Sequence, residues 1–499
     1  MYYESTRGGL NNITSAEAIK RGLAPDGGLF VPETDVKLAP EEIYSLAAMN
    51  YKERAVFILG RFLDDYSRQE LLECVDGAYG SGKFDEDKVA PVKKLNDNVY
   101  ILELWHGPTC AFKDVALQIL PLLLTRAVRK TGESAETVIL VATSGDTGKA
   151  ALEGFRDVKG TSIIVFFPED GVSQVQKMQM VTQEGGNVCS VAVKGNFDDT
   201  QNGVKSIFSD MELRDEMLQN GYKFSSANSI NWGRLVPQIV YYFSAYADLM
   251  AAGEIAAGEK INFAVPTGNF GNILAAWYAR EMGLPINKLI CASNDNNVLT
   301  EFINTGIYNR KREFKKTISP SMDILISSNL ERLLYELTEH NSLQVVEWMN
   351  QLKTDGRYTV NEEVKRRISE LYWASCSSEA ETIECIKDVY EEDDYVVDTH
   401  TAVGIDVYDK YVISTGDMTK TVIVSTASPF KFNESVASAI FGKETVAGRT
   451  EFELLDILAD RCRLKIPTGL DGLAGKEILH RRTCSRDTMK EEVKKILKL

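Results

Sequence analysis

A chain of 499 residues is long enough for about three folding units of ordinary size. Its composition, 44% apolar and 26% charged, excludes disorder, collagen and coiled coil. With 56 Lys+Arg against 72 Asp+Glu, the net charge of −16 excludes nucleic acid as an electrostatic partner, and any anionic substrate must meet a local basic pocket.

The start, Met1-Tyr2-Tyr3-Glu4, carries neither a basic nor an apolar leader. Residues 1–95 read as a separate N-terminal unit, turn-rich at Ala24-Pro25-Asp26-Gly27-Gly28 and helical thereafter. From there to 499 the pattern is α/β. Buried parallel strands are predicted at Val99–Leu104, Thr137–Ala142, Ser162–Phe167, Val188–Val193, Ile261–Val265, Lys288–Ala292 and Thr421–Thr426. Helical patterns lie between many of them, as at Val236, Ile239, Val240, Phe243 and Ala247. Two α/β lobes with parallel sheets follow from that alternation. Pro121 should kink the helix after Lys113. Residues 323–392 carry Leu330, Leu333, Leu334 and Leu337 on one helical face and no strand signal, which predicts a helical insertion.

No run of about 18 uncharged apolar residues exists, so no membrane span is expected. The 8 cysteines form no C-x-x-C pair and read as reduced thiols of a cytoplasmic protein. His106, His340, His400 and His480 are too dispersed for a histidine metal site, and no metal is expected.

Four segments carry candidate chemistry. In Val265–Leu274 a strand runs into Gly268-Asn269-Phe270-Gly271-Asn272 and then a helix. Glycines and a helix N-terminus there suit one phosphate group, the alternative being a plain strand-to-helix turn. In Val141–Lys149 the loop Thr143-Ser144-Gly145-Asp146-Thr147 could hold a substrate carboxylate or merely cap a helix. A P-loop does not fit, because Thr143 stands where Gly is needed and Ala150 where Ser or Thr is needed. Gly77–Lys83 fits G-x-x-x-x-G-K, but Phe84 follows it. In His106–Asp114, Lys113 sits among Ala111, Phe112 and Val115. Desolvation would suit it to nucleophilic chemistry, the alternative being a solvent-facing lysine. Finally, Thr426 closes a strand with a hydroxyl, either for ligand contact or as simple strand termination.

Taken together, these segments resemble the threonine synthase family, of its longer bacterial and fungal type. The likeness rests on His106-Gly107-Pro108-Thr109-Cys110-Ala111-Phe112-Lys113-Asp114, on Ala142–Gly148, on Pro266–Asn272 and on Thr426-Ala427-Ser428-Pro429-Phe430-Lys431-Phe432. The opening stretch Tyr3–Pro32 is similar to that family's N-terminal domain. The resemblance implies the fold type II architecture of pyridoxal-phosphate enzymes, similar to the tryptophan synthase β subunit. It implies Lys113 as the lysine that carries pyridoxal 5'-phosphate, and the amides of Gly268, Asn269, Phe270, Gly271 and Asn272 around the cofactor phosphate. Thr426 would meet the pyridine nitrogen. The implied reaction converts O-phospho-L-homoserine and water to L-threonine and phosphate, the last step of threonine biosynthesis. Ser144, Gly145 and Thr147 would bind the substrate carboxylate. Arg234 and Lys431, with Lys149 third, are the candidate cations for the substrate phosphate. Asp146 and Ser428 depart from related patterns, and Asn228 or Asn231 are candidates for the cofactor's ring hydroxyl. The rivals are a fold type II dehydratase, a phospho-lyase, and a cofactor-binding protein without catalysis.

Overall fold

Each of the predicted β-branched runs forms a strand in the computed structural model, which describes residues 1–143 and 145–499. The larger sheet runs in the order β13–β10–β9–β14–β4–β3. Its strands are β3 (Val92–Lys94), β4 (Val99–Glu103), β9 (Ile261–Pro266), β10 (Ile286–Ser293), β13 (Tyr372–Cys376) and β14 (Thr421–Ser425). All neighbours are parallel except β3, which pairs antiparallel with β4. Every residue of β4, β9 and β14 is buried. Helices cover both faces of such a sheet, so continuous apolar runs replace alternation. The second sheet, β15–β7–β6–β5–β8, is wholly parallel. It comprises β5 (Glu136–Ala142), β6 (Thr161–Pro168), β7 (Val188–Lys194), β8 (Tyr222–Ser225) and β15 (Arg482–Ser485). The two α/β lobes are therefore present.

Residues 323–392 are a correction to the expectation of a purely helical insertion. They supply β13, which joins the large sheet beside β10, and β12 (Arg357–Thr359), which pairs with β11 (Ile307–Asn309). β13 is an edge strand of five residues with a mixed burial pattern, and short edge strands carry little apolar signal. Pro121 acts by restarting a helix. The segment breaks into Lys113–Leu117 and Leu120–Lys130, with Pro121 in the first turn of the second helix, where its missing N–H costs nothing.

The N-terminal helices Tyr51–Phe62 and Arg68–Tyr79 share a core with the rest of the chain. Trp232 is fully buried at the centre of an aromatic cluster, with the rings of Tyr3, Phe62 and Tyr278 at 5.5, 5.7 and 5.5 Å. Among the described residues no helix is long and apolar enough to cross a membrane, and no group of His, Cys, Asp or Glu side chains is placed to hold a metal ion.

Candidate active site

The loops after β4, β5, β9 and β14 leave the carboxyl ends of parallel strands, where ligands bind in open α/β sheets. The loop after β4 is laced to the end of β14. Leu104 N–H donates to Ser425 O at 3.0 Å, Phe112 N–H to Thr426 O at 2.8 Å, and Ser428 N–H to Cys110 O at 3.0 Å. Asp114 ties the loop from inside, accepting Thr109 N–H at 2.8 Å and the Thr109 hydroxyl at 2.7 Å. Burial pushes the Asp114 carboxyl up to about 6 against those two bonds. Gly107 is required here, because a Cβ would lie 2.5 Å from the Asp114 side chain. His106 pairs with Glu103 at 2.8 Å and stacks on Trp105, which makes it a turn histidine.

This bracing aims Lys113 inward. Its side chain is 12% exposed. The amine donates to Ser321 Oγ at 3.1 Å and lies 3.6 Å from Asp146 Oδ2. Asp146 also receives Lys431 Nζ at 2.8 Å and Gln176 Nε2 at 2.9 Å. Burial lowers the Lys113 amine below the usual lysine range. Asp146 opposes that shift, while the charges of Lys431 and Arg234 add to it. Burial pushes the Asp146 carboxyl up, but Lys431 and Lys113 outweigh it and hold that carboxyl well below the usual range.

The loop after β9 makes an anion cradle. Phe270 adopts a left-handed conformation, φ 63°, to turn the chain into the helix Gly271–Glu281, which has no side-chain cap. The first amides of that helix are thus left for a ligand. Asn272 Oδ1 accepts from the hydroxyls of Tyr241 and Tyr242, whereas its Nδ2 is buried with no partner. Ser327 Oγ donates to Gly268 O at 2.7 Å, and Asn329 Nδ2 to Asn269 O at 2.9 Å, which fixes the cradle from outside. At Gly268 a Cβ would lie 2.7 Å from Ser321 O. Gly268, Asn269, Phe270, Gly271 and Asn272 therefore form one continuous loop and helix start.

The loop after β5 is organised by Thr143. Its hydroxyl accepts the N–H of Gly145 at 3.0 Å and of Gly148 at 2.9 Å. Gly145 has φ 151° and ψ −105°, and a Cβ there would meet Gln176 at 2.5 Å. Its N–H is occupied by Thr143, so its contribution is backbone shape. Thr147 is half-buried in the first turn of the helix Asp146–Phe155. Ser144 lies outside the described residues.

The candidate cations separate clearly. Lys431 is buried and donates to Thr109 O at 2.9 Å and Gln179 Oε1 at 3.2 Å besides pairing with Asp146. It is the counter-ion of Asp146. Lys149 is held by Glu153 at 3.3 Å and by Gln183, away from that role. Arg234 differs. It is buried in the first turn of the helix Trp232–Ala251, where the helix dipole disfavours a cation. One N–H donates to Ala227 O at 2.6 Å, and its Nε is buried without a partner. Among the described residues no carboxylate offsets its burial, which alone brings the guanidinium down to about 10. Asn231 caps the same helix and spends both amide protons on Ile19 O and Ser226 O, while Asn228 is exposed.

Three family models match this chain: the threonine synthase N terminus over residues 2–79, the pyridoxal-phosphate dependent enzymes over 88–361, and the threonine synthase C-terminal region over 401–478. Threonine synthase of Schizosaccharomyces pombe is 39% identical over 467 residues, covering 88% of this chain and 89% of that protein. The chain belongs to the threonine synthase family. It has the fold type II architecture that this membership entails. A solved threonine synthase from Brucella melitensis with pyridoxal phosphate bound superimposes with a TM-score of 0.88 at 36% identity, covering 99% of each chain. Threonine synthase-like 1 of Macaca fascicularis is 42% identical over 440 residues, and this chain spans 58% of its length.

The family's cofactor is pyridoxal phosphate, and the residues present fit it. The orphaned Nδ2 of Asn272 and the uncapped helix start suit its phosphate, and the depressed amine of Lys113 suits its aldehyde. Thr426 is buried beside the lysine loop, where a hydroxyl can meet the ring. Sequence reasoning missed Gln176, Gln179, Ser321 and the Asp398–His400 pair. Only Asp398 had a local signal, as a helix N-cap ahead of Thr399–Thr415.

Proposed function

We propose that the chain converts O-phospho-L-homoserine and water to L-threonine and phosphate, with pyridoxal phosphate carried on Lys113. The observation that carries this reading is Arg234. A buried cation without a carboxylate, whose charge helps to depress the Lys113 amine, calls for an anionic group on the substrate, as a phosphate ester would bring.

When bound, pyridoxal phosphate supplies a sink for the negative charge that develops at the substrate's Cα. The chain does the rest. The loop Gly268–Asn272 binds the cofactor phosphate, and Thr426 meets the ring nitrogen. The free amine of Lys113 takes the proton from Cα and then moves protons at Cβ. Its depressed proton affinity keeps a larger share of it neutral near neutral pH. Arg234 holds the substrate phosphate through its unpartnered N–H groups, and the same ion accompanies the leaving phosphate. Asp146 and Lys431 together orient Lys113 without adding net charge. The substrate carboxylate binds at the start of the helix Asp146–Phe155, through Thr147 on a backbone shaped by Gly145, with Ser144 a candidate from the sequence.

We also read residues 1–95 as the N-terminal unit and 96–499 as the catalytic region. Family matches that end at 79 and resume at 88 support that division. All the cysteines are free, in keeping with the cytoplasmic setting we propose.

The test is turnover of O-phospho-L-homoserine. Equal amounts of phosphate and threonine are expected. Phosphate without threonine would favour a phospho-lyase. Ammonia released from threonine, with phosphohomoserine untouched, would contradict the proposal.

A further inference from the structure

A buried histidine–aspartate pair lies behind the lysine, outside every motif considered above. Asp398 is fully buried and caps the helix Thr399–Thr415, accepting the N–H of His400 at 2.9 Å and of Thr401 at 3.0 Å. It also takes His400 Nδ1 at 2.7 Å. His400 Nε2 in turn accepts the backbone N–H of Ser321 at 3.1 Å. An acceptor nitrogen carries no proton, so the proton of this imidazole belongs on Nδ1, toward Asp398. The ring is 1% exposed and packs on Phe432, with centroids 4.7 Å apart.

Ser321 sits in the short turn Pro320–Met322, and that turn is braced on several sides. Thr399 Oγ1 donates to Ile318 O at 2.8 Å. Asp323 accepts Thr317 N–H at 2.9 Å and the side-chain amides of Asn294 and Asn296 at 2.8 and 2.9 Å. On its other side, Ser321 O closes over Gly268 of the phosphate cradle. One rigid turn thus touches the histidine, the cradle and the Lys113 amine. The only side-chain group it offers the amine is the Ser321 hydroxyl, at 3.1 Å.

We propose that Ser321 is a positioning residue for Lys113, and that the Asp398–His400 pair holds Ser321 for that task. The free amine would otherwise swing toward Asp146 at 3.6 Å. Accepting one amine proton at Oγ fixes the direction of the amine, a gain of orientation rather than of binding. The inference rests on the reading of Lys113 as the cofactor lysine.

The test compares Ser321→Ala, Ser321→Thr, His400→Gln and His400→Leu. Two quantities are read: the rate at which cofactor-free protein takes up pyridoxal phosphate covalently, followed by absorbance, and kcat against KM for phosphohomoserine. Ser321→Ala should slow covalent uptake and lower kcat, each by about tenfold, with KM within about twofold and an unaltered unfolding midpoint. Ser321→Thr keeps the hydroxyl and should recover most of both rates. His400→Gln keeps an acceptor for the Ser321 N–H and should exceed His400→Leu. Wild-type uptake and kcat in Ser321→Ala would overturn the proposal, and that variant decides the matter even if His400→Leu does not fold. If the wild type takes up cofactor on Lys113 but makes no threonine, the assigned reaction fails while the uptake rates still decide the role of Ser321.

Discussion

Lys113 is tuned by burial and by three charges, and two of those charges make signed predictions. Asp146 raises the Lys113 amine, so Asp146→Asn should move its titration to lower pH. Lys431 lowers it, so Lys431→Met should move it up. The pH dependence of Lys113 labelling in cofactor-free protein, read by peptide mass spectrometry, separates the two directions. Because folding depresses Lys113, the folded chain binds fewer protons there than the unfolded chain between the two values. This group's contribution to stability therefore rises with pH across that window. Lys431→Met also strands a buried carboxylate and should cost about 3–5 kcal/mol in a denaturant titration. Arg234 behaves oppositely. Arg234→Met removes a buried cation that no carboxylate offsets, so the unfolding midpoint should rise while KM for phosphohomoserine climbs at least about tenfold and cofactor content holds. A lowered midpoint with unchanged KM would remove Arg234 from the site. The candidates Gly268–Asn272 and Thr426 were legible because they follow strands within a few residues, and Lys113, ten residues past β4, through the segment His106–Asp114. Ser321 was not, since its contact with Lys113 spans 208 residues and its own neighbours form no periodic pattern.

At the scale of elements, the site is a set of strand ends. Strands β4, β5, β9 and β14 were legible because burial on both faces leaves unbroken β-branched runs. β13 was not, because an edge strand flanked by the helices Glu362–Leu371 and Glu379–Asp393 shares their half-polar composition. The turn carrying Ser321 and the loop carrying Gly268 are packed backbone to backbone, which makes one substitution diagnostic. Gly268→Ala places a Cβ 2.7 Å from Ser321 O, so the cradle must open and cofactor affinity should fall at least about tenfold. Gly475→Ala, with no atom within 4 Å of the added carbon, is the control and should leave affinity unchanged. Equilibrium dialysis of the cofactor measures both.

The whole molecule carries a net charge of −16, yet it sets Lys113 and Lys431 against one buried aspartate and adds the charge of Arg234, which offsets none. Such an arrangement suits ligands that bring their own negative charge, a cofactor phosphate and a substrate phosphate, into an acidic protein. The N-terminal helices supply no charge to this centre. Tyr3 and Phe62 of the N-terminal unit pack on Trp232, on the helix that carries Arg234, so that unit supports the site through packing. All of this depends on where the cofactor is attached. Borohydride reduction of the cofactor-loaded protein, followed by peptide mass spectrometry, reads that directly. The account predicts a single reduced pyridoxyl group on the peptide containing Lys113. The same group on Lys83, Lys149 or Lys431, or no covalent group in protein that has bound the cofactor, would contradict it.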